Sequence, residues 1–337
     1  MAHIVDIHTH CNLPTRDDPF GIAAAMQVTR AGRNTVSNYR GLPAVGYYEM
    51  TDFALQQGVC TKAGITRRLM SNSFTPEVIS TVSAKPELDI VKYCNDLVAE
   101  VVSRAPDSTF GLGTINPLDR AQIPEAERCI GVLGFKGFLI NSSWHGKFIE
   151  TEEAYPFWEW VEDQGIAIFL HPPRAPIGCQ QGMDRYKLDE LVGRPFDTAM
   201  SVARMILSGL FDRYPRLKIA LAHMGGGLLP VMGRLNFGWR LGSDGMPDRA
   251  RIKCRKLPSD YLRHIHVDTM GIWAPHLREA IEVFGPDRVM LGTDYGPVPI
   301  DPSEHIEMVK ALELSAEDQE KILWRNADTF FGLRLSP

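Results

Sequence analysis

The sequence has 337 residues, of which 44% are hydrophobic and 23% charged, and a formal net charge of −5. This composition is typical of a globular protein with enough chain for a large core, and it lacks the basic excess of a nucleic-acid-binding protein. No apolar run reaches the ~18 residues of a membrane span, and the N-terminus has no signal-peptide pattern. Six cysteines without a CxxC pair suit a reducing compartment. We therefore expect a cytoplasmic protein that binds neither nucleic acid nor membranes.

Eight short apolar runs along the chain have the character of β-strands. They cover residues 3–10, 63–73, 109–117, 134–142, 165–172, 217–223, 263–270 and 288–296. Segments with helical period lie between most of them, as in Ile90, Cys94, Leu97, Val98 and Val101. Strands that alternate with helices pair in parallel, and eight such units close into a barrel. We predict an α/β protein whose residues 1–337 form a single (β/α)8 TIM barrel domain.

Three segments are longer than simple connections: residues 12–60 after strand 1, 173–196 after strand 5, and 224–262 after strand 6. All three follow the C-terminal ends of strands, and active sites in this fold lie on that face of the barrel. We therefore predict insertions after strands 1, 5 and 6 that surround the active site.

Metal-ligand residue types end several of the predicted strands. His8 and His10 in "VDIHTHC" are two residues apart and so share one face of strand 1. His171 ends strand 5 in "FLHPP", His223 ends strand 6 in "LAHMGGG", and Asp294 follows strand 8 in "GTDYG". Each alone is more often a loop anchor or a helix cap, but their meeting at one rim favours a divalent metal. The glycines at 225–227 lack nucleotide-loop spacing, so we predict no nucleotide cofactor.

These motifs resemble the amidohydrolase superfamily, in the branch that contains aminocarboxymuconate semialdehyde decarboxylase and relatives acting on aromatic acids. The likeness is densest in "MILSGLFDRYPRLKIALAHMGGG", "GRLNFGWR" and "FGPDRVMLGTDY". It implies that the metal ligands are His8, His10, His171 and Asp294. It also implies that His223 is the acid/base residue beside the metal, and that Arg240 in "NFGWR" reaches the substrate carboxylate of the neighbouring subunit in a dimer.

The resemblance further implies a single metal ion, because this branch lacks the carbamylated lysine that bridges two metals in other relatives. Strand 4 ends in "LINSS", and Lys136 lies near the start of that strand, on the far side of the barrel. We expect one divalent ion per chain, zinc with manganese as the alternative. Asp6 and Asp268 lie close to the ligands and are candidate hydrogen-bond partners for them.

Further candidates contact the substrate from the loops. Arg174 follows strand 5 and could bind a carboxylate, although a loop ion pair is the equal alternative. Trp144 and His145 after strand 4, and Trp273 after strand 7, could stack on a planar ligand, although isolated tryptophans more often serve packing. The segment after strand 1 differs from the decarboxylases, so their second substrate-binding arginine cannot be assigned to Arg40 or to any other residue.

The charge pattern indicates an anionic substrate, because the acidic chain concentrates arginines after strands 5 and 6: Arg174, Arg185, Arg194, Arg234 and Arg240. The family likeness favours non-oxidative decarboxylation of a small aromatic or conjugated acid in aromatic catabolism. A metal-dependent hydrolase or hydratase of the same superfamily is the alternative, with His223 and Asp294 moving protons for a metal-activated water. A barrel with a vestigial metal site is disfavoured, since every ligand is present.

Overall fold

Eight parallel strands form the centre of the structure. The computed structural model describes residues 3–12, 19–21, 23, 26–39, 41–72, 76–81 and 83–336. The strands, which we number β1–β8, are Val5–His10, Arg67–Ser71, Thr109–Gly111, Gly137–Asn141, Ala167–His171, Lys218–Leu221, Ile265–Asp268 and Val289–Met290. Each of the eight predicted runs contains one of these strands. Ser73, the end of the second run, lies outside the described residues.

Hydrogen bonds arrange the strands in a ring. One sheet has the order β1-β2-β3 and another has the order β4-β5-β6-β7-β8, with all pairs parallel. Parallel bridges join the two sheets at both seams, Gly113 to Phe138 and Thr9 to Tyr295. Across the second seam the amide of Asp294 donates to the carbonyl of His8 at 2.7 Å. The strands therefore form an α/β barrel, and the first and last strands meet.

Burial on both faces explains why the strands read as continuous apolar runs. Along β5, Ala167 and Phe169 join an inner cluster, whereas Ile168 and Leu170 join a larger cluster with the surrounding helices. Alternation then turns His171, the last residue of β5, to the inside of the barrel. Because side chains alternate between the two faces of a strand, the polar residue that ends β5 lies at the inner rim of the barrel.

The helices lie outside this ring. We number them α1–α12: Phe53–Lys62, Pro76–Ser80, Glu87–Ser103, Ile123–Gly131, Tyr155–Gln164, Arg194–Leu207, Leu210–Arg213, Leu228–Leu241, Ala274–Phe284, Pro302–Lys310, Ala316–Glu320 and Asn326–Phe331. Helix α3 buries the predicted stripe that begins at Ile90, and α5 ends at Gly165, whose φ of 64° is the left-handed cap that glycine adopts without strain. Within the described ranges, none of the helices combines the length and apolarity needed to cross a bilayer.

The segments after β1 and β5 build structure above the barrel. After β1 the chain forms an antiparallel sheet of Thr29–Ala31, Asn34–Tyr39 and Leu42–Gly46, which we call the roof sheet. After β5 a π-helical turn, Asp189–Gly193, leads directly into α6. After β6 the chain continues into α8 and a 3₁₀ segment, Pro258–His264.

Candidate metal centre and substrate cavity

Five side chains from four strand ends meet at one point of the barrel rim. We call them the donor cluster: His8, His10, His171, His223 and Asp294. The ring centroid of His8 lies 5.1 Å from that of His10 and 5.3 Å from those of His171 and His223. Asp294 Oδ1 is 3.2 Å from His10 Nε2 and 3.4 Å from His8 Nε2. The structure thus brings together all four predicted ligands and the predicted acid/base residue.

Hydrogen bonds aim two of the imidazoles at this point. The Nδ1 atom of His8 donates to Asp268 Oδ2 at 2.7 Å, and His10 Nδ1 lies 2.7 Å from Ser71 Oγ. Both rings therefore present Nε2 to the cluster, which is how outer partners orient histidine ligands.

The cluster contains buried polar atoms without a hydrogen-bond partner among the described residues: Nε2 of His8, Nε2 of His171 and Oδ1 of Asp294. Buried polar atoms that lack a hydrogen bond are costly, so their convergence is typical of a cation site. Three imidazole nitrogens and a carboxylate are a donor set that fits a divalent first-row ion.

Burial and neighbouring charges set the protonation states. Burial alone would raise the pKa of Asp294, but His8 and His10 outweigh it and hold that pKa well below its usual value. Burial, reinforced by Arg194, holds the pKa of His171 well below its usual value. Metal ligands must be deprotonated, so an ionised Asp294 and a neutral His171 are the forms that bind an ion.

Two cluster residues have left-handed backbones, with φ of 57° at His223 and 55° at Asp294. This conformation is strained for residues other than glycine and persists only where the surroundings impose it. Asp268 Oδ1 accepts from the amide that follows His223 at 2.9 Å. Asp6 accepts from the amide and hydroxyl of Thr293 at 3.1 and 2.6 Å. Asp6 and Asp268, the two predicted hydrogen-bond partners, therefore hold the backbone beside these ligands.

A cavity of about 420 Å³ opens between the donor cluster and the roof sheet, a volume in the range of small-molecule sites. His10, His171 and Asp294 form part of its wall. Its apolar lining includes Met26, Val28, Val45, Met50 and Leu139. Its polar lining includes Asn12, Thr35, Asn72, Thr114 and Asn141. The Nδ2 group of Asn141 is buried without a partner among the described residues, so it is a donor available to a ligand.

The predicted loop residues have different positions. Arg174 lines the cavity, but it donates to Asp189 Oδ2 at 2.9 Å and to the carbonyl of Leu42 at 2.7 Å. His145 lies in a turn, where its Nε2 is 2.5 Å from Glu87 Oε2.

Three further predicted residues lie away from the cavity lining. Trp144 is fully buried and donates to Glu87. This corrects the prediction that Trp144 stacks on the substrate, because a side chain without exposed surface has none to offer a ligand. Trp273 is 63% exposed at the start of α9, and Arg240 is exposed near the end of α8. Arg40 lies outside the described residues.

Arg194 was not predicted to contact the substrate, although it is one of the five arginines noted after strands 5 and 6. Arg194 is the first residue of α6 and lines the cavity. Burial lowers the pKa of its guanidinium, whereas the charges of Asp294 and Glu190 act to raise it. The roof sheet was also missed, because its short strands are half exposed and lack a clear apolar alternation.

A family model described as Amidohydrolase matches residues 5–333. The 2-amino-3-carboxymuconate-6-semialdehyde decarboxylase of Dictyostelium discoideum is 35% identical over 270 residues, which cover 76% of this chain and 72% of that protein. The gamma-resorcylate decarboxylase of Rhizobium radiobacter is 30% identical over 282 residues, which cover 80% of this chain and 84% of that protein.

Among solved structures, the dihydroxybenzoic acid decarboxylase of Polaromonas sp. JS666, with bound manganese and the inhibitor 2-nitroresorcinol, has a TM-score of 0.79. It is 25% identical, and the match covers 100% of this chain and 98% of that one. This chain therefore belongs to the amidohydrolase family. The predicted branch and the prediction of an enzyme of the decarboxylase type are confirmed.

Proposed function

We propose that this protein catalyses the metal-dependent, non-oxidative decarboxylation of a small aromatic or conjugated carboxylic acid. The observation that carries the proposal is the donor cluster, of which His10, His171 and Asp294 line a largely apolar cavity. Apolar walls suit a planar ring, and Asn141 and Thr114 offer hydrogen bonds to its substituents. The similarity to decarboxylases of aromatic and conjugated acids supports this reaction.

We propose that His8, His10, His171 and Asp294 hold one divalent ion. Such an ion supplies Lewis acidity toward substrate oxygens. The sequence favoured zinc over manganese. The manganese in the Polaromonas relative supports manganese, so we propose either metal. Elemental analysis of the purified protein should find about one equivalent per chain. Two equivalents would contradict the proposed ligand set.

In this proposal His223 supplies the proton. Its Nε2 atom lies 3.6 Å from Asp294 Oδ2, and this carboxylate can orient the ring. Protonated His223 gives its proton to the carbon that bears the carboxylate. The bond between that carbon and the carboxylate then breaks, its electron pair returns to the conjugated system, and carbon dioxide leaves. A proton from solvent restores His223, so no water is consumed.

The test is turnover of ring acids in oxygen-18 water. Decarboxylation of a carboxyl-¹³C hydroxybenzoate should release ¹³C-labelled carbon dioxide and leave the remaining product without oxygen-18 from solvent. Solvent oxygen in the organic product, without release of carbon dioxide, would instead identify a hydrolase or a hydratase of the same superfamily.

We also propose a homodimer in which Arg240 reaches the partner's cavity. Helices α6 and α8 pack together, and their outward sides carry large exposed apolar residues: Phe196 and Met200 on α6, and Phe237 and Leu241 on α8. Apolar surface of this kind on neighbouring elements is typical of a protein interface. Arg240 lies three residues after Phe237 and therefore on the same side of α8, so the same contact would bring its guanidinium toward the other subunit.

Subunit mixing tests this arrangement. Chains with His223→Asn and chains with Arg240→Ala should each be inactive, whereas their heterodimers should regain activity because one of the two sites is then intact. Heterodimers that form but remain inactive would contradict the shared site. Arg240→Lys should weaken binding although the charge is kept, since lysine lacks the planar fork of arginine.

We propose a cytoplasmic location as well. The structure buries all six cysteines as thiols, as expected of a chain from a reducing compartment. Fractionation of cells that express the natural gene would test it.

A further inference from the structure

Two arginines line the cavity from the segment that follows β5, and they differ in their partners. Arg174 forms an ion pair with the buried carboxylate of Asp189 at 2.9 Å and also donates to the carbonyl of Leu42 in the roof sheet at 2.7 Å. Its charge is therefore compensated within the chain. Its two terminal nitrogens are engaged before any ligand arrives.

Arg194 has no such direct partner. Within the described ranges, its guanidinium makes neither a hydrogen bond nor an ion pair, and its Nε atom is buried. The Nε atom is buried without an acceptor, and the half-buried side chain lines the cavity, so an anion that enters the cavity would supply the acceptor that this guanidinium lacks. Arg194 also lines the same cavity as His10, His171 and Asp294 of the donor cluster.

The backbone of Arg194 is held in place from below. Asp197, one helical turn further along α6, accepts hydrogen bonds from Ser142 Oγ at 2.5 Å and Ser143 Oγ at 3.0 Å. It also accepts from the amide of Ile177 at 2.8 Å. These contacts fix the first turn of α6 to the end of β4, where Asn141 lines the same cavity. The guanidinium is therefore carried by a rigid support, which favours a preorganised ligand contact.

We propose that Arg194 is the residue of this chain that binds the carboxylate of the substrate, and that Arg174 is a positioning residue that ties the roof sheet to the segment after β5. The inference rests on the proposed function, because it names what holds the acid that this function assigns. A free guanidinium offers the two parallel donors that a carboxylate accepts. The ligand class is thus an organic carboxylate with its acid group between Arg194 and the donor cluster.

The test compares a carboxylate with its neutral amide. Wild-type protein, Arg194→Met and the matched control Arg174→Met are loaded with metal, and each is titrated calorimetrically with a hydroxybenzoate and the corresponding hydroxybenzamide. Arg194→Met should weaken carboxylate binding about 10- to 100-fold, as expected for loss of a charge-assisted pair, and change amide binding less than about threefold. Arg174→Met should keep the wild-type ratio of the two affinities. Arg194→Lys should show an intermediate loss.

An unchanged ratio in Arg194→Met, or a loss of the ratio in Arg174→Met alone, would overturn the inference. If Arg194→Met fails to fold, Arg194→Lys decides the same question, and a wild-type ratio in that variant would also overturn it. The proposed function is judged separately, by release of carbon dioxide from the wild-type protein. Loss of carboxylate selectivity in Arg194→Met supports the inference whether or not that release occurs.

Discussion

The donor cluster and the roof sheet face each other across one cavity, yet they are built differently. Four of the five cluster residues are almost fully buried, with 1% of His8 and 7% of His171 exposed, whereas His223 is half-buried. Strand ends and Asp268 hold the cluster in place. The roof sheet is largely half exposed, and Arg174 is one of its few polar ties to the rest of the cavity. From this difference we expect the chemistry to depend on the buried barrel rim and the choice of substrate to depend on the more exposed roof sheet.

Removing donors from the cluster should have the largest effect. The double variant His8→Ala, His10→Ala lacks two of the four proposed ligands, so we expect loss of both the metal and all activity. Elemental analysis measures the metal content, and release of carbon dioxide measures the activity. A matched His145→Ala variant should keep its metal, because that ring bonds Glu87 outside the cluster. Full metal occupancy in the double variant would contradict the ligand set.

Removing the proposed acid should separate chemistry from metal binding. His223→Asn should keep the metal but lower kcat by about 100- to 10,000-fold, the usual contribution of a general acid or base. Steady-state kinetics on protein of known metal content measures this. Loss of metal in this variant would show that His223 is a ligand instead.

Weakening the support of a ligand should have a smaller effect. Asp268→Asn removes the charge that orients His8 and keeps a similar shape, so metal affinity should fall about 10- to 100-fold. Competition with a chelator measures the affinity. An affinity equal to that of the wild-type protein would mean that Asp268 serves only the backbone that follows His223.

Changing the roof sheet should affect substrate choice alone. Val45 lines the cavity, so Val45→Phe should raise KM for bulky ring acids about tenfold and leave metal content unchanged. Ala31→Phe, on an exposed strand of the same sheet, should leave KM unchanged. Equal effects of the two variants would show that the sheet acts through its stability and not through its contact with the ligand.

The sequence predicted the rim well because regular periods produced it. Parallel strands buried on both faces appear as separate apolar runs, and a candidate ligand at the end of such a run is visible without any knowledge of packing. This is why residues as distant as His8 and Asp294 could be assigned to one site. The metal that binds there stays a prediction, because zinc and manganese accept the same donors.

The cavity was harder to predict because tertiary contacts decide it. Arg174 and Arg194 have the same residue type and lie in the same segment, and only their partners distinguish them. Trp144 resembles a stacking residue in the sequence but is fully buried, with its indole bonded to Glu87. The roof sheet shows no strong pattern, since its strands are half exposed and gain their place by packing over the barrel.

The seam between β1 and β8 has a consequence for how the protein is made. His8 and His10 leave the ribosome long before Asp294, whose amide donates a hydrogen bond to the carbonyl of His8. The early part of a chain can begin to fold during translation, but this site cannot be completed until the last barrel strand has emerged. A nascent chain therefore lacks the complete donor cluster until β8 has emerged, and we expect it to bind an ion only after that point.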